Sequence, residues 1–185
     1  MTPLTPEVLT ANSEVVAWLG SLDVSFATDE EAWFTIDGVE SPQQIGSDRS
    51  GGALVLLPLR NVLYVSSEGR AGIIAGTLEA FVQLVVAHPY WLDILKFSAG
   101  GDLQEMRRAA DALEATLDDE DEVNEAREEI RGALDLPEAD DPVSSLYEAV
   151  AASDAIVRAT DGSPFTTLFN RFSIDNNPML RNAAA

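Results

Sequence analysis

Along the chain, apolar and polar positions are most regularly ordered between residues 45 and 95. Three short runs, 53–57, 62–65 and 72–75, are rich in Val, Ile, Leu and Tyr, which suit a pleated, half-buried surface. Gly51 with Gly52, Pro58 with Asn61, and Glu68 with Gly69 punctuate these runs, so the spacing predicts consecutive antiparallel strands. The period then changes. Leu78, Phe81, Val82, Val85 and Val86 recur at three and four residues, as one face of a helix does. Thr77 stands where a hydroxyl can cap that helix by accepting from a free backbone N–H. Pro89 disfavours helical geometry at His88 and lacks a donor of its own, so the helix is expected over 77–88.

The flanking pattern is looser. Val8, Leu9, Val15, Val16, Trp18 and Leu19 predict one or two short helices over 7–19, with Gly20 as the stop. The aromatic and β-branched run 32–36 reads as a strand followed by a turn at Asp37 and Gly38, and 43–47 reads as another short strand. Together these give an antiparallel sheet of about four to six strands from residues 31–75, with helix 77–88 packed on one face. Tyr90, Trp91, Leu92, Ile94, Leu95 and Phe97 predict a second helical piece with an aromatic edge.

Residues 98–101, with two glycines, mark a change of composition. Leu103, Met106, Ala110, Leu113 and Leu117 form a helical stripe, and Val123, Ala126, Ile130 and Ala133 resume it out of register. Between them stand Asp118, Asp119, Glu120, Asp121 and Glu122, whose mutual repulsion favours two helices over one. Asp141 before Pro142 is an N-cap followed by proline at the first helical position, and Val143, Leu146, Tyr147, Val150 and Val157 mark the helix it opens. The expected class is α+β: a small antiparallel sheet with a packed helix, followed by an acidic, mainly helical C-terminal region. The expected domains are 1–98 and 99–185, the second packed on the first.

Charge changes this picture more than size does. The 185 residues suffice for one domain with an extension, but 32 acidic against 11 basic residues leave a formal charge of −21. Phosphate backbones and anionic membranes repel such a surface, whereas a basic protein is steered towards it. With no cysteine, disulfides, thiolate catalysis and cysteine metal sites are excluded. The N-terminus lacks the basic and apolar regions of a signal peptide, and no run approaches a membrane span, so a cytoplasmic location is expected.

Candidate chemistry is sparse. The loop GSDRSGG lacks the Walker lysine and the dinucleotide glycine spacing, so it reads as a strand-connecting turn. The run DDEDEVNE lacks the alternating ligands and central glycine of a calcium loop, and reads as a solvated charge run. His88 is the only histidine, and no G-x-S-x-G elbow is present. Carboxylates are so numerous that no single pair points to a glycosidase-like dyad. No cofactor, metal or catalytic group is assigned.

The central residues resemble the SUKH superfamily. The resemblance is carried by Ile45-Gly46-Ser47-Asp48 with Ser50-Gly51-Gly52, by Val62-Leu63-Tyr64-Val65, by Glu68-Gly69, and by Ile73-Ile74-Ala75 leading to Thr77-Leu78-Glu79-Ala80-Phe81. It spans residues 31–95; Arg49 departs from the pattern, and 98–185 have no counterpart in it. The resemblance implies an α+β fold without an active site and, for bacterial members, immunity proteins that neutralise a cognate toxin, often a nuclease or deaminase. A strongly acidic inhibitor would meet a basic toxin quickly and occlude it. Expected contacts are Asp29, Glu30, Glu31, Trp33, Asp48, Tyr90 and Trp91, together with the acids at 118–122. The alternative is a structural or regulatory interaction protein whose helical region makes it a homo-oligomer.

Overall fold

The computed structural model describes residues 3–26 and 32–184. Two short helices open it, α1 (Pro6–Thr10) and α2 (Ser13–Ser21), capped by the side chains of Thr5 and Asn12. Gly20 does not stop α2, which runs on to Ser21. The chain turns instead at Asp23, which takes a positive φ of 65°.

The main sheet is antiparallel, in the order β1-β3-β4-β5-β6. Its strands are β1 (Val24–Ser25), β3 (Gln43–Asp48), β4 (Ala53–Leu56), β5 (Val62–Val65) and β6 (Ala71–Ala75). The run expected at 32–36 does form a strand, β2 (Phe34–Ile36), but not in this sheet. It pairs antiparallel with β7 (Val157–Ala159), Phe34 opposite Ala159 and Ile36 opposite Val157. Val157 is therefore a strand residue and not part of the helix expected to include it.

Both faces of the main sheet are covered, which is why its strands read as nearly continuous apolar runs. Side chains alternate along a strand. Leu54, Val62, Tyr64 and Ile74 meet α3 (Leu78–Ala87) and α4 (Trp91–Lys96) on one face. Ala53, Val55, Leu63, Val65 and Ile73 meet Phe34, Ile36 and Val157 on the other. The side chain of Thr77 caps α3 by accepting from the Ala80 N–H at 3.0 Å, as its position predicts.

Residues 98–101 form a turn tied to the C-terminal segment: Ala99 N donates to Phe172 O at 2.8 Å and Gly100 N to Asn170 O at 2.6 Å. Beyond it come α5 (Leu103–Glu114), α6 (Glu120–Leu134), α7 (Pro142–Ala151) and α8 (Pro178–Ala183). Two helices form, as expected, but the break between α5 and α6 falls over 115–119, and the last three carboxylates of the run at 118–122 open α6. Met106, Ile130, Leu146 and Leu168 belong to the same buried cluster as Leu9, Phe81 and Trp91. One core thus draws on residues from both sides of the 98–101 turn. No helix among the described residues is long and apolar enough to cross a membrane.

Candidate functional site

The glycine-rich turn after β3 is built around an inward-facing carboxylate. Asp48 is 8% exposed. One of its oxygens accepts from the Gly52 N–H at 2.7 Å and the other from the Tyr64 hydroxyl at 2.5 Å. Burial and the adjacent Asp48 carboxylate push the Tyr64 hydroxyl well above the usual tyrosine range, so it stays a donor. Arg49 points outward and pairs with Asp23 at 2.8 Å. The turn is held by its own aspartate, and Asp48 is not offered to a partner.

Trp91 is likewise inward. It is 2% exposed, with Tyr64 and Phe81 edge-on to it at centroid distances of 5.1 and 5.7 Å. Both residues expected as contacts thus meet through Tyr64 in the core, where an aromatic can bury its large apolar area.

Tyr90 serves a different purpose. Its hydroxyl donates to the Glu114 carboxylate and lies 3.2 Å from Nδ1 of His88. Since the single hydroxyl proton goes to Glu114, His88 supplies its own proton at Nδ1. Arg127 grips Glu114 with two nitrogens, at 2.7 and 2.8 Å. The same guanidinium donates to Val86 O at 2.9 Å and Ala87 O at 3.0 Å. These are carbonyls of the last turn of α3, left without helical partners. Tyr90, Glu114 and Arg127 therefore fasten α6 to the end of α3. The guanidinium of Arg127 and the Tyr90 hydroxyl also hold the Glu114 carboxyl below its ordinary range, outweighing burial.

That wiring decides what α6 shows to solvent. Asp118, Asp119, Glu120, Asp121 and Glu122 are all exposed, and Glu125, Glu128 and Glu129 extend them along the helix. Arg127, the only cation among residues 118–130, keeps its side chain 11% exposed. Carboxylates at 120–122 complement the positive end of the α6 dipole, which accounts for them structurally. Glu125, Glu128 and Glu129 lie beyond the first turn, where that effect has decayed. They were absent from the sequence-based site, although the spacing of 122, 125, 128 and 129 by three and four already placed them on one helical stripe.

Trp33 sits elsewhere, at the border of the β2–β7 sheet. It is 36% exposed and edge-on to Phe34 at 5.2 Å, with Phe165 at 5.9 Å. Asp29, Glu30 and Glu31 lie outside the described residues. The expected contacts that are described thus divide into Asp48 and Trp91 in the core, Tyr90 in the fastening, Trp33 at the border of the small sheet, and an exposed acidic run leading into α6. Among the described residues, no group of three His, Cys, Asp or Glu side chains is placed to hold a metal ion. Comparison with protein-family models, curated proteins and solved structures finds no match to this chain.

Proposed function

We propose that the chain is a non-catalytic immunity protein of the SUKH kind, acting in the cytoplasm, that binds a basic toxin domain and neutralises it by occlusion. The observation that carries this reading is the exposed face of α6 with the turn before it, where eight carboxylates stand between Asp118 and Glu129 and Arg127, the one cation within that stretch, is turned inward. A helix that needed its charges only for solubility would gain from interspersed cations at i+4. Here Arg127 is spent on Glu114 and two backbone carbonyls instead, and the other cation of α6, Arg131, stands in its last turn, beyond the carboxylates. The remaining negative field reaches outward, where it raises the encounter rate with a basic surface. The order of elements around the glycine-rich turn, a meander of strands followed by a Thr-capped helix, supports the family resemblance on which the toxin assignment rests.

The test is to ask whether a neighbouring gene encodes a toxin-like C-terminal domain and, if so, to co-express that domain with this chain; a neighbourhood without one counts against the reading. Growth should be rescued by the wild-type chain. In kinetic measurements with the purified toxin domain, the association rate should fall by roughly tenfold or more between low and high salt. Neutralising Asp118–Glu122 with Glu125, Glu128 and Glu129 as a block should lower it similarly at low salt, with little change in dissociation. An association rate that stays flat with salt and is indifferent to the block would end electrostatic neutralisation as the mechanism.

A further inference from the structure

A second feature lies away from α6. Between the β5–β6 turn, α4 and the C-terminal segment runs a cleft of about 390 Å³, walled by Tyr64, Glu68, Leu92, Asp93, Leu168 and Phe172. That size falls within the range of ligand-binding clefts, roughly 300–1,000 Å³. Its floor is apolar, with Leu168 4% exposed, yet Phe172 on its wall remains 38% exposed.

Asp93 is the anomaly in this cleft. Its carboxylate is half-buried and has neither a hydrogen-bond donor nor an ion-pair partner among the described residues. Burial raises its carboxyl above the ordinary aspartate range, and the more distant Lys96 only partly offsets this. Two cations border the cleft, and neither neutralises Asp93. Arg70 spends a guanidinium nitrogen on the carbonyls of Thr167 and Phe169, at 3.1 and 3.2 Å. The Lys96 ammonium lies 5.5 Å from the centroid of the Phe97 ring. A carboxylate partly withdrawn from water without a partner is disfavoured, and a cation brought beside it recovers part of that loss.

We propose that this cleft seats a basic side chain of the protein partner, arginine or lysine, with Asp93 as its counter-charge. Long basic side chains lay their hydrocarbon stems along apolar walls and hold the charged head at a polar end. Leu92 and Leu168 provide such walls, and Glu68 adds a second carboxylate at the rim, while the Phe172 ring is already faced by Arg171, whose guanidinium carbon lies 5.5 Å from its centroid. The inference rests on the reading of a basic protein partner. It adds a fixed anchoring point to the diffuse attraction of α6.

The pocket can be tested without the partner. The isotopically labelled full-length chain is titrated by NMR with Nα-acetyl-argininamide, then with its lysine, glutamine and aspartate counterparts. Saturable shifts are expected at residues 66–70, 92–96 and 168–172, with affinity on the order of millimolar for the two cationic probes. Asp93→Asn, close in shape and lacking the unpaired charge, should weaken cation binding by roughly tenfold while the remaining spectrum shows the fold intact. Glu148→Gln, an exposed carboxylate on α7, should leave binding unchanged. Because the bound cation favours ionised Asp93, wild-type affinity should also rise with pH across the raised titration of that group. Equal binding by Asp93→Asn, preference for the aspartate probe, or shifts confined to α6 would each overturn the assignment. Such a result would leave the salt dependence of association with the toxin domain still to decide the reading of α6.

Discussion

At the scale of single residues, Asp48, Gly52 and Tyr64 form one unit whose parts cannot be exchanged independently. A Cβ on Gly52 would stand 2.3 Å from the Tyr64 hydroxyl oxygen and 2.5 Å from two of its ring carbons. The ring cannot yield freely, because Trp91 is packed against it and Asp48 holds its hydroxyl. Gly52→Ala should therefore destabilise by about 2–3 kcal/mol through overpacking and displacement of the buried hydroxyl. Gly51→Ala meets no neighbour and suffers only from its φ of 82°, so it should cost about 1 kcal/mol. Chemical denaturation of the two variants checks the order, and equal losses would refute the packing account. The sequence supplied the turn and its glycines, but not the direction of Asp48. An aspartate in a Gly-Ser-rich loop looks equally suited to a partner or to the loop's own N–H groups. Only the position of Tyr64, sixteen residues later, decides between them. Trp91 turns inward for a reason just as invisible locally, since helical spacing gives the face of an aromatic and not what covers it.

At the scale of elements, local pattern served best where contacts are local. The meander from β3 to β6, the Thr77 cap and the break between α5 and α6 follow from turn chemistry and periodicity over a few residues. The pairing of β2 with β7 does not. It joins segments about 120 residues apart, and the three residues of each strand carry too little pattern to specify a partner. The fastening of α6 was illegible for the same reason, since it needs Arg127 to reach carbonyls forty residues earlier in the chain. Its energetics can be measured. Arg127→Met leaves Val86 O and Ala87 O without their side-chain donor and Glu114 with the Tyr90 hydroxyl alone, and should cost about 2 kcal/mol. Arg49→Met removes an arginine whose carboxylate partner, Asp23, lies at an exposed site, and should cost no more than about 1 kcal/mol. Hydrogen exchange should accelerate in α6 for the first variant and not for the second. Unchanged protection of α6 in Arg127→Met would mean that the buried Ala126 and Ile130 suffice to hold the helix.

At the scale of the whole molecule, the charge of −21 bears on association and the fold is carried by the core, so pH acts on the two through different groups. Asp37, beside the Arg158 guanidinium, and Glu114, beside Arg127, are held below the ordinary carboxylate range. Asp141 is held there by the Ser144 N–H and then by Arg107. A depressed carboxyl contributes stability that is complete above its unfolded pKa and lost as pH falls through the folded one, so these groups act below about pH 5. His88 acts earlier and by another route. Burial lowers its pKa, with Arg127 adding to the effect, and together they outweigh Glu114, Asp111 and Asp141, which favour the charged ring. The unfolded imidazole takes its proton near pH 6.5, before the folded one does. The unfolded state therefore binds more protons in that interval, and stability falls as pH drops through it, levelling once the folded ring is also charged. Asp93, raised by burial, works in the opposite sense, so the comparison must be between variants and not between pH values alone. Chemical denaturation of the wild type should show stability declining between about pH 7.5 and about pH 5.5. In His88→Gln, which keeps a donor for Tyr90 but cannot titrate, the decline should disappear while any contribution from Asp93 remains. Parallel curves for the two proteins would mean that His88 takes its proton equally well folded and unfolded. The buried fastening between α3 and α6 would then be insensitive to acid down to the range where the carboxylates themselves titrate.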